Sequence, residues 1–138
     1  MGVEITAFMR ETSVKRKLAA AHTHRQAGRL KEALTLYGQV LEDDPENLDA
    51  LKNLARMSLD LGEPQAAASM VLRALSKDPQ ERESLEILDM VVGRLEAPQA
   101  QAQLIFEYAH DLKGKGLWDT ALVFYRRALQ FDPTLVAR

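Results

Sequence analysis

The chain has 138 residues, of which 46% are hydrophobic and 6% aromatic, and its formal net charge is −2. A chain of this length can bury one continuous core, and its slight negative charge argues against general attraction to nucleic acid or anionic membranes. The sequence has no cysteine, which excludes disulfides and thiolate metal sites. No run approaches the roughly 18 apolar residues of a membrane span, and the N-terminus lacks an apolar signal segment, so we expect a soluble, cytoplasmic protein.

Residues 1–13 precede the recurring part of the chain. Ile5, Phe8 and Met9 have the i, i+3, i+4 spacing of one helical face. The segment is therefore predicted to be either a short helix that docks on the rest of the chain or a frayed arm. The pair Thr12-Ser13 then offers an N-cap for the next helix.

One segment of 18 residues occurs three times, and its first two copies begin 34 residues apart. Every copy opens with glycine, has alanine at its sixth position and closes with Asp-Pro. Glycine suits a turn with positive φ between antiparallel helices, and alanine lets two helices cross closely. Each pattern therefore predicts a helical hairpin, with the Asp of Asp-Pro capping the following helix. The copies are Gly28–Pro45, Gly62–Pro79 and Gly116–Pro133.

This pattern and its period resemble the tetratricopeptide repeat. The resemblance implies an all-α fold, in which antiparallel helical hairpins stack as a right-handed solenoid. We place an arm at residues 1–13 and the repeat domain at 14–138. The repeats lie at about 14–47, 48–81 and 102–135.

Residues 82–101 are a surplus that the 34-residue period does not accommodate. Apolar residues at helical spacing predict an irregular helix near 82–95, which gives about seven helices in all. This helix is either an insert between regular repeats, or the next helix, at about 99–113, contacts two neighbours at once. The sequence leaves both arrangements open.

No arrangement of side chains typical of an active site or a metal site is evident. His22 and His24 are two residues apart on a predicted helix, so they point about 200° away from each other. The acidic run at residues 42–46 is interpreted as a solvated loop. We therefore expect a non-enzymatic protein with no catalytic residue, no metal and no cofactor.

The resemblance implies that a ligand lies in a concave groove lined by the first helix of each repeat. The groove residues carried over from the first two repeats are Lys15, Leu18, His22, Arg25, Lys52, Asn53 and Arg56. The third repeat would add Gln103, Phe106, His110 and Lys113. Basic residues on two helices predict a positive lining and an acidic peptide or helix segment as partner. A solvated charged face is the alternative interpretation.

The expected function is thus that of a scaffold or adaptor for a protein or peptide partner. The alternative is a structural module that self-associates or packs against another domain of a longer protein. The helix Trp118–Gln130 favours this alternative, because its apolar band is wide and the five residues after Pro133 are too few to cover it. Such a module would be a homo-oligomer through the C-terminal helix. An RNA-binding helical repeat is disfavoured by the pI of about 5.9.

Overall fold

The computed structural model describes residues 2–137, with side chains for residues 5–135. Within that range the chain forms seven α-helices, a short 3₁₀ helix and no strand, which confirms the predicted all-α fold. The helices are α1 (Gly2–Gln26), α2 (Leu30–Asp43), α3 (Leu48–Asp60), α4 (Pro64–Lys77), α5 (Arg82–Arg94), α6 (Pro98–Gly114) and α7 (Trp118–Phe131). The 3₁₀ helix is Pro133–Ala137.

Three pairs of helices form hairpins: α1 with α2, α3 with α4, and α6 with α7. The glycine of each repeated segment lies in the turn, with φ of 81°, 77° and 80° at Gly28, Gly62 and Gly116. The alanine five residues later is buried where the two helices cross, and Ala33 and Ala67 are both 0% exposed. The hairpins are therefore built where the repeated pattern predicts them.

Helix α5 has no hairpin partner of its own. It packs on α3 and α4 and makes little contact with α6, because the backbone is extended at Leu95 and at Ala97 and carries the chain away. The Gln101 side chain closes this end of α5, since its Nε2 donates to the carbonyl oxygens of Val92 and Leu95 at 3.0 and 2.8 Å. Helix α5 thus lies between the second and the last hairpin in the chain, and α6 contacts α4 as well as α7.

The first two Asp-Pro pairs end helices and do not cap the next ones, so the expected capping is wrong at these pairs. Asp44 and Asp78 are the C-caps of α2 and α4. The N-caps of α3 and α5 are Asn47 and Glu81, whose side chains accept from the backbone N–H three residues on. The turn after each Asp-Pro needs further residues before the chain can become helical, and these residues supply the caps.

The segment before the first repeat is neither a separate helix nor an arm, because α1 runs unbroken for 25 residues. Helix α2 has only 14, so α1 extends about 16 Å beyond its hairpin partner at 1.5 Å per residue. We call residues 2–13 the α1 overhang. The expected N-cap at Thr12-Ser13 is wrong, since the Thr12 hydroxyl donates to the Phe8 carbonyl oxygen within the helix. No glycine or proline interrupts residues 3–13, and extending a helix is easier than nucleating a new one.

The last residues cover part of α7 although they are few. Leu135 is buried in the core, and the Asp132 carboxylate accepts from the backbone N–H of Thr134 at 3.0 Å. Tertiary packing thus stabilises a 3₁₀ turn that would not form alone. The opposite part of α7 stays open, because Trp118 and Leu122 are 62% and 48% exposed.

Candidate interaction surface on the first helices

Helices α1, α3 and α5 lie side by side and are linked by polar side chains. We call this surface the first-helix face. Its residues include the basic and polar side chains predicted to line the groove on α1 and α3, and two carboxylates from the end of the α4–α5 connection and the start of α5. These residues are His22, Arg25, Asp49, Lys52, Asn53, Arg56, Glu81 and Glu83.

The contact between α1 and α3 is a chain of hydrogen bonds. His22 Nδ1 lies 2.6 Å from the Tyr37 hydroxyl, and His22 Nε2 lies 3.0 Å from Asp49 Oδ2. Burial raises the pKa of Tyr37, although the nearby Arg25 guanidinium opposes the shift. The tyrosine therefore stays protonated and can donate to His22. Arg25 donates a hydrogen bond to Asn53 Oδ1, so these two predicted groove residues contact each other.

The contact between α3 and α5 is a cluster of ion pairs. Lys52 Nζ lies 3.2 Å from Glu81 Oε1 and 2.9 Å from Glu83 Oε2, and Arg56 lies 2.8 Å from Glu83 Oε1. Burial alone would lower the pKa of Lys52, but its hydrogen bonds to the two carboxylates outweigh burial and raise it. Burial alone would likewise raise the pKa of Glu81, but hydrogen bonds from Ser84 and Lys52 lower it. Both groups stay charged at neutral pH.

The sequence pattern does not reveal these two glutamates. Glu81 lies at the end of the second repeat and Glu83 in the surplus, and no spacing pattern joins either of them to α3. They reach Lys52 and Arg56 only because α5 packs beside α3. The predicted positive lining is thus largely neutralised by carboxylates of the chain itself.

The remaining predicted groove residues on α1 have different surroundings. Lys15 is exposed, nearly three turns before Arg25. Leu18 is half-buried and packs against the core between α1, α2 and α3, so its main contacts are within the protein. The structure therefore brings His22, Arg25 and the α3 residues together and leaves Lys15 apart.

The residues expected from the third repeat lie elsewhere. Gln103, Phe106 and His110 of α6 line a cleft opposite Leu72 of α4, with a volume of about 430 Å³. Helix α5 occupies the place beside α3 that the first helix of a third regular repeat would take. We call this second surface the α4/α6 cleft.

Two further features bear on function. Among the residues that the structure describes, no three His, Asp or Glu side chains come close enough together to hold a metal ion. In the same part of the chain, no helix has the length and apolar character needed to cross a membrane.

The hairpin architecture agrees with a family comparison, in which residues 24–88 match the tetratricopeptide repeat. The match covers just under half of the chain, which is similar to the tetratricopeptide repeat over these residues. The match begins near the end of α1 and continues into α5, so it includes most of the first-helix face. Tetratricopeptide repeats serve as scaffolds for protein interactions, and the family supports that general role here.

Two solved structures share this tetratricopeptide-repeat fold. A crystal structure of MamA protein has a TM-score of 0.59 and 19% sequence identity, covering 91% of this chain and 76% of that one. A second crystal structure of MamA has a TM-score of 0.54 and 21% identity, covering 85% and 77%. At these identities the likeness shows the fold. No curated protein sequence matches this chain significantly.

Proposed function

We propose that this protein is a non-catalytic adaptor that binds an acidic peptide or helix segment along the first-helix face. The observation that carries the proposal is the row of Arg25, Lys52 and Arg56, which project from adjacent helices and are held in place by neighbouring polar groups. Their geometry is fixed before a ligand arrives, so binding loses little side-chain freedom.

On binding, a carboxylate of the ligand would replace a carboxylate of the chain in its contacts with Lys52 and Arg56. Glu83 pairs with both Lys52 and Arg56 and its side chain is 40% exposed. Ion pairs at such exposure contribute about 0–1 kcal/mol, so replacing Glu83 by a ligand carboxylate is a small change in free energy.

Affinity capture from cell lysate tests the proposal. Wild type is compared with Lys52→Gln/Arg56→Gln and with a matched control on α4, Arg73→Gln/Lys77→Gln, which removes the same charge from exposed positions. We expect acidic prey to be lost with the first pair only, and to elute as salt rises, because screening weakens charge attraction. Equal losses with both pairs would indicate nonspecific attraction and contradict the proposal.

A second candidate function is that of a structural module that associates through α7. Trp118, Leu122 and Val123 are exposed on this helix at 62%, 48% and 59%. Exposed apolar patches of this kind mark interaction sites. Association that Trp118→Glu abolishes would support this candidate.

A further inference from the structure

The α4/α6 cleft continues along α6 towards the α5–α6 connection. Three cavities of about 450, 250 and 430 Å³ follow one another in it, and neighbouring cavities share lining residues. The shared residues are Gln65, Leu95 and Ala100 for the first two cavities, and Gln103 and Glu107 for the last two. The lining extends from Ala97 to Asp111, which is about 21 Å at 1.5 Å per residue. The three cavities therefore form one continuous groove.

The floor of this groove is apolar, and both of its walls are helices. The floor includes Ala68 and Leu72 of α4 and Leu104 and Phe106 of α6. Because the backbone N–H and C=O groups of both walls are bonded within their own helices, the groove has no edge to which an extended peptide can add as a strand. A helical ligand satisfies its own backbone and needs only side-chain contacts. The groove therefore suits a helix of about four turns with an apolar stripe.

The rim of the groove carries uncompensated negative charge. Glu107 and Asp111 are both exposed there, and no Lys or Arg in the described part of the chain forms an ion pair with either carboxylate. Glu107 accepts a hydrogen bond from the Gln103 amide, at 3.3 Å, which leaves its charge in place. Glu81 and Glu83 on the first-helix face are, by contrast, paired with cations of α3. The charge of the rim is therefore complementary to a cationic ligand.

We propose that the α4/α6 cleft binds a basic amphipathic helix of a partner protein. Apolar side chains on one face of that helix fill the three cavities, and Lys or Arg side chains beside this face pair with Glu107 and Asp111. Arg94 lies at the opposite end of the groove, where it donates to the Leu59 carbonyl oxygen at 3.2 Å, so it does not neutralise the two carboxylates. This site is separate from the first-helix face, for which the proposed ligand is acidic.

Synthetic helices test the proposal on the full chain. The first probe is a labelled peptide of leucine, alanine and lysine, about 16 residues long, with leucine at every third or fourth position so that one apolar stripe forms. In the second peptide, glutamate replaces lysine. In the third, the residues of the first are rearranged so that no stripe forms. Fluorescence anisotropy measures the dissociation constants, and the first peptide should bind about tenfold or more tightly than the third.

Charge reversal at the rim tests the ionic contacts. Glu107→Lys/Asp111→Lys should weaken binding of the first peptide about tenfold or more, because attraction becomes repulsion. Glu42→Lys/Glu46→Lys is the matched control, since it reverses two exposed carboxylates at the end of α2 and in the connection that follows. Both variants change the net charge equally. The control should change the affinity about twofold or less.

A substitution within the groove tests the contact with its floor. Ala100 is exposed and lines two of the three cavities, so Ala100→Lys obstructs the groove and leaves the core in place. It should weaken binding of the first peptide about fivefold or more. Ala19→Lys, at an exposed position on α1, is the matched control and should leave the affinity nearly unchanged. Melting temperatures of both variants should stay close to that of wild type.

Three results would overturn the proposal. They are equal affinities for the first and third peptides, equal effects of the rim reversal and its control, and binding of the second peptide as tight as that of the first in the Lys52→Gln/Arg56→Gln variant. That variant removes the cations of the first-helix face, so it should not lower the affinity for the first peptide. Failure of the cleft and failure of the first-helix face can therefore be told apart.

Discussion

Lys52 Nζ on α3 lies 2.9 Å from Glu83 Oε2 on α5, so a cation expected to face a ligand is paired with a carboxylate of its own chain. The same carboxylate contacts Arg56 through its other oxygen at 2.8 Å. Glu83 therefore competes with any acidic ligand at the first-helix face. Its removal is the sharpest probe of that surface.

Glu83→Gln is expected to strengthen binding of an acidic segment by about fivefold, because it removes the competing charge, and ion pairs at this exposure contribute about 1 kcal/mol. The change is measured by fluorescence anisotropy with a labelled acidic peptide identified by affinity capture. Glu86→Gln, at an exposed position on the same helix that pairs with Arg82, is the matched control. Weaker binding by Glu83→Gln would contradict the exchange mechanism.

Ala67→Leu is expected to destabilise the fold by about 1–3 kcal/mol through overpacking. Ala67 is 0% exposed in the crossing of α3 and α4, where a larger side chain has no room. Urea unfolding followed by circular dichroism measures the loss. Ala19→Leu, at an exposed position of α1, should be nearly neutral. A neutral Ala67→Leu would mean that the helices do not cross there.

Gly62→Ala is expected to destabilise by about 1–2 kcal/mol, because Gly62 has a φ of 77° and an L side chain is strained there. Apart from Gly62 and its two chain neighbours, no residue places an atom within 4 Å of the added Cβ, so the cost is in the backbone alone. Gly38→Ala has the same open space within α2, where alanine should stabilise by about 0.5–1 kcal/mol. A lower melting temperature for Gly62→Ala and a higher one for Gly38→Ala would separate the two backbone effects. Shifts of the same sign would refute this account.

Protonation of Glu81 should contribute to the loss of stability in acid. Folding lowers the pKa of this carboxyl below its ordinary value of 4.5. Its contribution is therefore fully present above pH 4.5 and is lost as the pH falls through the lower folded-state value. Glu81→Gln should lower the free energy of unfolding at pH 7 by about 1 kcal/mol, typical of an N-cap. Well below pH 4.5 the variant and wild type should converge, and a constant difference would contradict the role of the charge.

The exposed part of α7 is best probed at Trp118 and Leu122. Phe124 is a poor reporter, because its ring packs edge-on against Tyr108 at 4.9 Å between ring centroids and is partly buried against the core. Phe124→Glu should lower the melting temperature by several degrees. Trp118→Glu should leave the melting temperature nearly unchanged and alter only self-association through α7. Differential scanning fluorimetry with sedimentation distinguishes these effects.

The interior of the third hairpin also depends on a contact that no repeat pattern shows. The Tyr108 hydroxyl donates to the Pro79 carbonyl oxygen at 2.7 Å, which ties α6 to the α4–α5 connection. Burial raises the pKa of Tyr108 to about 12, with Asp78 and Asp111 adding to the shift. Tyr108 and its partner are 29 residues apart, so no local pattern joins them.

The sequence by itself determined the hairpins. A glycine with positive φ, an alanine at a crossing and a 3.6-residue apolar period act within one pair of helices, so their effect can be read locally. The same local logic failed at α1, where the docking expected for Ile5, Phe8 and Met9 depended on which side of the helix meets the repeats. It also failed at the first two Asp-Pro pairs, where the caps lie a few residues further on.

Only the tertiary structure decided which charges meet on the first-helix face and which faces stay open. Lys52 and Glu83 are 31 residues apart, and their contact follows from α5 packing beside α3. That packing is set by the total apolar surface that α3, α4 and α5 bury together. No short-range pattern encodes such a sum, so an ion pair between helices is fixed only once the whole stack has formed.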